Sequence, residues 1–132
     1  MTISMFKASV PIFVQFITSL WDCLDKAAAH AEAKKIDPAV LLNTRLFPDM
    51  FPLVRQVRAA TDHAINACGR LAGIELPTFA NTEASIPELK ERIAKTVAFL
   101  KTLDKSKIDA SAEREIVFPL GPEKKGLTGM KD

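Results

Sequence analysis

Residues 9–34 have the sequence SVPIFVQFITSLWDCLDKAAAHAEAK, in which apolar residues recur at helical spacing. Ser9 suits a helix N-cap, Pro11 is tolerated in the first turn, and Lys34 suits the C-terminal end of the helix dipole. The segment therefore predicts one long amphipathic helix from about Ser9 to Lys34. At about 100° per residue, its apolar stripe lies within about 60° of Leu20 and consists of Phe13, Phe16, Ile17, Leu24, Ala27 and Ala31.

The chain after this helix carries two further helical signals before residue 74. The pair Asp37-Pro38 predicts a short helical turn over residues 39–42, because aspartate suits the N-cap of a helix and proline suits its first position. Asp49 with Pro52 predicts the start of a second long helix, which ends near Gly73 because glycine favours the C-cap. The stripe of this helix has a single polar member, Thr61, beside Leu53, Val57, Ala60, Ala64, Cys68 and Leu71.

Beyond the second helix the pattern predicts a loop, a third helix and a hairpin. Residues 74–84 have no apolar period and predict a long loop. Ser85 and Glu88 form a capping box, and the third helix follows with Ile86, Leu89, Ile93, Val97, Leu100 and Leu103 directed inward. Residues 114–120 and 125–128 predict two short strands joined by a turn at Gly121-Pro122.

Together these elements predict an all-α, up-and-down helical bundle of three long helices with a short C-terminal β-hairpin. At 132 residues, the chain has the length of one domain, which we assign to residues 1–132. Bundles with helices of this length usually close with a fourth helix. We therefore expect the domain to be incomplete at its C-terminus.

Composition excludes several classes of protein. Eighteen Lys and Arg against sixteen Asp and Glu give a net charge of +2, which argues against a nucleic-acid partner and a membrane surface. The apolar stretch from Ala8 to Trp21 is too short and too interrupted for a membrane span, and acidic residues follow it where a signal peptide would have small ones. Two cysteines are too few for a disulfide framework. We expect a cytoplasmic protein.

Four segments resemble a family of small bacterial and fungal proteins. They are MTISMFKASVPIF at residues 1–13, LDKAAAHAEAKKIDP at 24–38, RLFPDMFPL at 45–53 and ATDHA at 60–64. The likeness extends from Met1 to about Gly129. The family is a domain of unknown function grouped with the DinB-like four-helix bundles, so the resemblance implies that fold and assigns no activity.

The resemblance also implies a fourth helix that carries further histidines, at the position where Gly129-Met130-Lys131-Asp132 ends this sequence. Either the sequence is a fragment, which we favour, or the protein has lost its last helix. DinB-like bundles often bind a divalent metal such as Zn²⁺ or Ni²⁺ through one histidine of the second helix and two of the fourth. His63 matches the first of these ligands.

His63 has a second interpretation. It lies about 120° from Val57, in line with Gln56 and Arg70, where a histidine on the flank of a helix pairs with a nearby carboxylate. One histidine cannot hold a metal that needs three or four ligands, so the metal site needs a second subunit or further residues. The other histidine, His30, is expected to be solvated or at an interface.

The remaining candidates favour structural roles. Cys23 and Cys68 are expected to be small buried hydrophobes. The carboxylates are expected to cap helices or face solvent, and they are Asp22, Asp25, Asp49 and Asp62. The arginines of the second helix lack the interleaved aromatics of a nucleic-acid platform, and they are Arg55, Arg58 and Arg70.

Two functional hypotheses follow. The first is a binding or structural module that forms a homodimer, because C2 pairing would bury a stripe left open by three helices. The second is a DinB-like enzyme that depends on a divalent metal, thiol transfer being one candidate reaction, with His63 as one ligand in a full-length form. A pseudoenzyme fold kept for protein binding is a third interpretation. The sequence names no substrate, small-molecule ligand or pathway.

Overall fold

A computed structural model describes residues 2–119 and the backbone of residues 125–128. It confirms an all-α bundle of three long helices with a short C-terminal hairpin. The elements in chain order are α1 (Val10–Lys34), α2 (Pro38–Leu42), α3 (Leu53–Ala72), α4 (Ile86–Lys101), α5 (Lys105–Asp109), a 3₁₀ turn (Ala110–Glu113), β1 (Ile116–Pro119) and β2 (Lys125–Thr128).

The predicted up-and-down order is found for two pairs of long helices, since α1 is antiparallel to both α3 and α4. Asp25 near the end of α1 pairs with Lys90 near the start of α4, so these two helices are antiparallel. In contrast, α3 and α4 run in the same direction, since Arg92 bonds to Thr61 near the middle of both helices and Phe99 lies beside Gly69 towards their C-terminal ends. The loop of residues 74–85, which we call the crossover, returns along the bundle to make this possible.

Most of the predicted helix ends are confirmed. The Asp37 carboxylate accepts the backbone N–H of Ala39 at 2.9 Å. Ser85 and Glu88 form the complete capping box at the start of α4. Gly73 ends α3 in the left-handed conformation, with φ 68°, which a residue with a Cβ adopts only at a cost.

Three local predictions were wrong or incomplete. The Ser9 hydroxyl donates back to the carbonyl of Met5 at 2.7 Å instead of capping α1. The helix α3 begins at Leu53 after Pro52, so Asp49 lies too early in the chain to cap it. The helix α5, which Asp104 caps through the N–H of Ser106, was not predicted because five residues carry no measurable apolar period.

The core lies where α1, α3 and α4 meet. On α1 its centre is the line Ile17, Leu24 and Ala31, each at most 4% exposed. The predicted stripe was therefore too wide on one side, since Phe16 is 68% exposed. The prediction that both cysteines are buried was also half wrong, because Cys68 is buried but Cys23 is exposed. On α1, Cys23 points about 100° away from Leu24.

The hairpin has the predicted strands in antiparallel register, with Ile116 opposite Thr128 and Pro119 opposite Lys125. The predicted turn at Gly121-Pro122 lies outside the described residues. Among the helices of residues 2–119, none has both the length and the apolar character needed to cross a bilayer.

Candidate functional site

The side of α1 and α3 that faces away from α4 remains uncovered by the described residues, and we call it the open face. On α1 its residues recur every three or four positions, so they form one line within about 80°. They are Ile12, Phe16, Leu20, Cys23, Ala27 and His30. On α3 the corresponding residues are Leu53, Gln56, Ala60, His63, Ala67 and Leu71.

The open face is more apolar than an ordinary solvated helix surface. Phe16 is 68% exposed and Ile12 is 46% exposed. Leu20, Ala60 and Leu71 are only half-buried. A contiguous patch of this kind marks an interaction surface more often than an accident of sequence.

One end of the open face is a pocket of about 660 Å³. Its walls are the C-terminal half of α1, the start of α3 and the connection between α2 and α3. The connection is held in place by Arg45, whose Nη1 donates to the carbonyl of Met50 at 2.6 Å. We call this the α1–α3 pocket, and its lining residues are Lys26, Ala27, His30, Leu41, Thr44, Arg45, Leu46, Met50, Phe51, Leu53 and Gln56.

His63 is exposed on α3, two helical turns after Gln56 and on the same side. The alignment with Gln56 predicted from the sequence is therefore confirmed. The expected carboxylate partner is not found, since among the described residues no ion pair includes His63. The imidazole thus remains accessible at the open face.

The described residues do not fit a complete metal site. Among them, no three His, Cys, Asp or Glu side chains lie close enough together to hold one ion. His63 supplies one imidazole, whereas a catalytic zinc site needs about three protein ligands. The metal-ligand role of His63 stays a prediction that depends on ligands from elsewhere.

His30 is exposed, as expected, and lies in the wall of the α1–α3 pocket. Cys23 lies two turns before His30 on the same line of α1. The two cysteines differ in environment. Burial raises the pKa of the Cys68 thiol to about 11, although a hydrogen bond with Ser9 partly offsets this effect, so Cys68 stays protonated and unreactive at neutral pH.

Arg92, which is 2% exposed, was not predicted from the sequence as a functional or structural centre. Its guanidinium donates to Thr61 Oγ1 at 2.7 Å from Nε, to Asn81 Oδ1 at 2.7 Å from Nη1 and to Asp62 Oδ1 at 2.6 Å from Nη2. Nη1 also donates to Glu83 Oε1 at 3.1 Å. The sequence did contain an indication that Arg92 is buried. Arg92 lies within about 60° of Leu89 on α4, and the apolar stripe of α3 has one polar residue, Thr61, which Arg92 faces.

Arg92 and its partners fasten the crossover to α3 and α4. Arg58 reaches the same loop, donating to Glu83 Oε2 at 3.0 Å and also to the Glu83 carbonyl. Phe79 of the crossover lies under the Arg92 guanidinium, 4.4 Å from it to the ring centroid. With these bonds, every buried side-chain nitrogen and oxygen of the described residues has a partner. Arg92 Nη2 also donates to the Arg58 carbonyl at 3.4 Å, so all five N–H groups of Arg92 have acceptors and none is left for a ligand.

Asp62 was expected to face solvent or cap a helix; its side chain is 43% exposed, but it also forms an ion pair with Arg92, which was not predicted. The cluster of Arg92 and its partners also shifts the pKa of Glu83. Burial alone would raise that pKa, but a backbone hydrogen bond, the Arg92 hydrogen bond and the charges of Arg92 and Arg58 together lower it.

The other two arginines of α3 do have aromatic neighbours, contrary to expectation. Arg55 lies over the ring of Phe51 at 3.4 Å, and Arg70 lies over the ring of Phe118 at 4.9 Å. These aromatics come from segments outside α3, which is why the α3 sequence alone did not reveal them. Each pair is a local stacking contact.

The fold has a counterpart among solved structures. The crystal structure of a DinB family member protein from Shewanella denitrificans is similar to this chain with a TM-score of 0.83 and 34% sequence identity. The match covers 92% of this chain and 70% of the Shewanella chain. No curated protein is significantly similar to this sequence. The model of the domain of unknown function DUF1993 matches residues 5–132, and the chain is therefore a member of this DinB-like family.

Proposed function

We propose that this protein is a binding module that works as a homodimer, with the open face as the contact between the two copies. The observation that carries the proposal is the exposure of large apolar side chains on the open face of α1, namely Ile12 and above all Phe16. A phenylalanine that is 68% exposed in the second turn of a 25-residue helix leaves most of its ring in water. Fully burying such a side chain contributes about 1.5–3 kcal/mol.

A two-fold pairing is the simplest way to cover this line. In a C2 contact the same patch serves both copies, so one row of apolar residues is enough to form the interface. The row on α1 runs from Ile12 to His30, which is about 27 Å of helix at 1.5 Å per residue. That length is sufficient for a helix-to-helix interface between two copies.

The dimer is tested by sedimentation velocity on the unchanged protein and on Phe16→Asp. We expect a dimer for the unchanged protein and a monomer for Phe16→Asp, because a carboxylate buried within an apolar interface is strongly disfavoured. The matched control is Gln15→Asp, which adds the same charge to an exposed position about 100° round the helix. A monomeric unchanged protein, or equal dimers in both variants, would refute the proposal.

The second proposed function is a divalent-metal-dependent enzyme with His63 as one ligand. The observation that favours it is the exposure of His63 on the open face, where another helix or a second copy could bring further ligands. A metal that binds only the native state would raise the melting temperature further as the metal concentration increases above its dissociation constant. Since one imidazole does not define a reactive centre, the proposal extends to metal binding and names no reaction step.

Thermal melting with Zn²⁺, Ni²⁺ and Mn²⁺ tests this second function. A rise that His63→Ala removes and His30→Ala retains would support it. The His30 variant is the matched control, since both histidines are exposed on the same face. A rise that both variants retain would exclude His63 as a ligand.

We also propose a cytoplasmic location and a protein without a nucleic-acid partner. Two free thiols, one of them exposed, support a reducing compartment. The net charge of +2 supports the absence of nucleic acid. Cell fractionation tests the location, and an electrophoretic mobility shift with duplex DNA and RNA tests the partner.

A further inference from the structure

We propose that the α1–α3 pocket binds a small amphiphilic carboxylate, such as a medium-chain fatty acid. The hydrocarbon chain would lie on the apolar walls, and the carboxylate would meet the cations at the rim. The inference rests on the proposed binding-module function, of which it names the ligand class. It does not depend on the dimer contact.

The size of the pocket suits a small molecule. About 660 Å³ falls within the roughly 300–1,000 Å³ typical of ligand sites. Its walls combine the aliphatic and aromatic side chains of Leu41, Met50, Phe51 and Leu53. These apolar walls favour a ligand whose body is hydrocarbon rather than sugar or nucleotide.

The charge of the rim selects the headgroup. The charged residues that line the pocket are Lys26 and Arg45, and its lining contains His30 but no aspartate or glutamate among the described residues. Neither cation forms an ion pair with a described carboxylate. Arg45 uses Nη1 for the Met50 carbonyl, so its other N–H groups are available to a carboxylate.

Two other pockets of the described residues suit this ligand less well. The pocket between α1 and α4 contains Trp21 and Lys101 but is smaller, at about 430 Å³. The pocket beside the crossover is about 200 Å³ and contains Glu83, Glu88 and Glu91, whose charges repel an anion. Of these three pockets, the α1–α3 pocket is therefore the largest, and it is the one that joins apolar walls to two cations without a carboxylate.

The pocket and Phe16 lie towards opposite ends of the open face, although both belong to it. Phe16 lies eleven residues before Ala27 on α1, a distance of about 16 Å along the helix axis. Ala27 is in the pocket wall, whereas Phe16 is not. Loss of the dimer and loss of ligand binding can therefore be separated by mutation.

Isothermal titration calorimetry tests the inference, with decanoate, decyltrimethylammonium and decyl glucoside as probes below their critical micelle concentrations. We expect decanoate to bind more tightly than the cationic and the neutral amphiphile. In the double variant Lys26→Gln with Arg45→Gln, decanoate affinity falls by about tenfold or more, which is the strength of one charge-assisted hydrogen bond. Affinity for decyl glucoside should fall much less, since its neutral headgroup gains nothing from the two charges.

The control double variant is Lys7→Gln with Lys105→Gln, which removes the same charge from exposed positions outside the pocket lining. It should bind decanoate as the unchanged protein does. Absence of decanoate binding, equal binding of all three amphiphiles, or equal loss in both double variants would overturn the inference. Decanoate binding by monomeric Phe16→Asp would support the pocket and show that it acts without the dimer. If the unchanged protein binds decanoate as a monomer, the dimer proposal fails and the pocket stands.

Discussion

The buried guanidinium of Arg92 makes a sharp prediction about stability. Arg92→Met keeps most of the apolar stem of the side chain, but removes the charge and all five N–H donors. It leaves Asp62 without its ion-pair partner and leaves Thr61 and Asn81 without their donors. Glu83 keeps its bonds to Arg58, so the cluster is broken on one side only.

The expected loss is large because only one member of the cluster is removed. Breaking a buried ion pair by deleting one partner costs about 3–5 kcal/mol. The Asp62 side chain is 43% exposed, so water can hydrate its carboxylate and keep the loss at the lower end of this range. We therefore expect a loss of about 3 kcal/mol in the free energy of unfolding, or roughly 12 °C in melting temperature for a chain of this size.

The assay is equilibrium unfolding in urea, followed by circular dichroism, for Arg92→Met and two companions. Lys95→Met lies on the same helix, and its exposed pair with Glu91 is worth only about 0.3–0.5 kcal/mol. Arg92→Lys keeps the charge but has three donors in place of five, so it should fall between the other two variants. The reasoning is refuted if Arg92→Met costs no more than Lys95→Met.

A second readout locates the effect. Arg92 binds Asn81 and Glu83 of the crossover, so its loss should release that loop before the helices unfold. A glutamate-specific protease should then cut at Glu75 or Glu83 under native conditions in Arg92→Met. Equal resistance in Arg92→Met and Lys95→Met would show that Arg92 does not hold the crossover.

Three further predictions concern single side chains. Cys23 should react with Ellman's reagent in the native protein. Cys68, which is buried with a pKa of about 11, should react only after unfolding. Rapid reaction of both thiols in the native protein would contradict this. Because the pKa of Glu83 is lower in the folded state than its ordinary value of 4.5, its contribution to stability is complete above about pH 4.5 and is lost as the pH falls through the folded pKa. Urea unfolding across pH 3–7 should therefore show a shallower loss of stability in acid for Glu83→Gln than for the unchanged protein, and identical slopes would contradict it. Gly73→Ala should lower the free energy of unfolding by about 1–2 kcal/mol, since alanine is strained at φ 68° and its Cβ would lie 2.9 Å from Arg114 Nη1; an unchanged urea midpoint would contradict this.

Local features of the fold could be predicted because their causes are local. A cap needs only a side chain and the N–H groups two or three residues later, so Asp37 and the Ser85–Glu88 box were found from the sequence. The apolar period predicted the three long helices for the same reason. The direction of α4 could not be found in this way, since a crossover and a tight turn leave the same apolar period in the helix that follows.

It was harder to predict which side of α1 is buried, because α1 has apolar residues over more than half of its circumference. Cys23 and Phe16 lie on the open side, whereas Ile17 and Leu24 lie in the core. All four belong to residue types that are commonly buried. Which of them is covered depends on where α3 and α4 stand, and that is a property of the whole bundle. The same excess of apolar surface that misled the prediction is the evidence for the open face.

The open face and the Arg92 cluster involve opposite sides of α3. Its α4 side is held by the hydrogen bonds of Thr61 and Asp62 with the buried Arg92, which fix the helix in one position. Its other side presents Gln56 and His63 to solvent. A binding surface gains affinity when its residues are held in place beforehand, because less conformational entropy is lost on association. The stability of the Arg92 cluster should therefore support binding at the open face, although none of its residues lines the α1–α3 pocket.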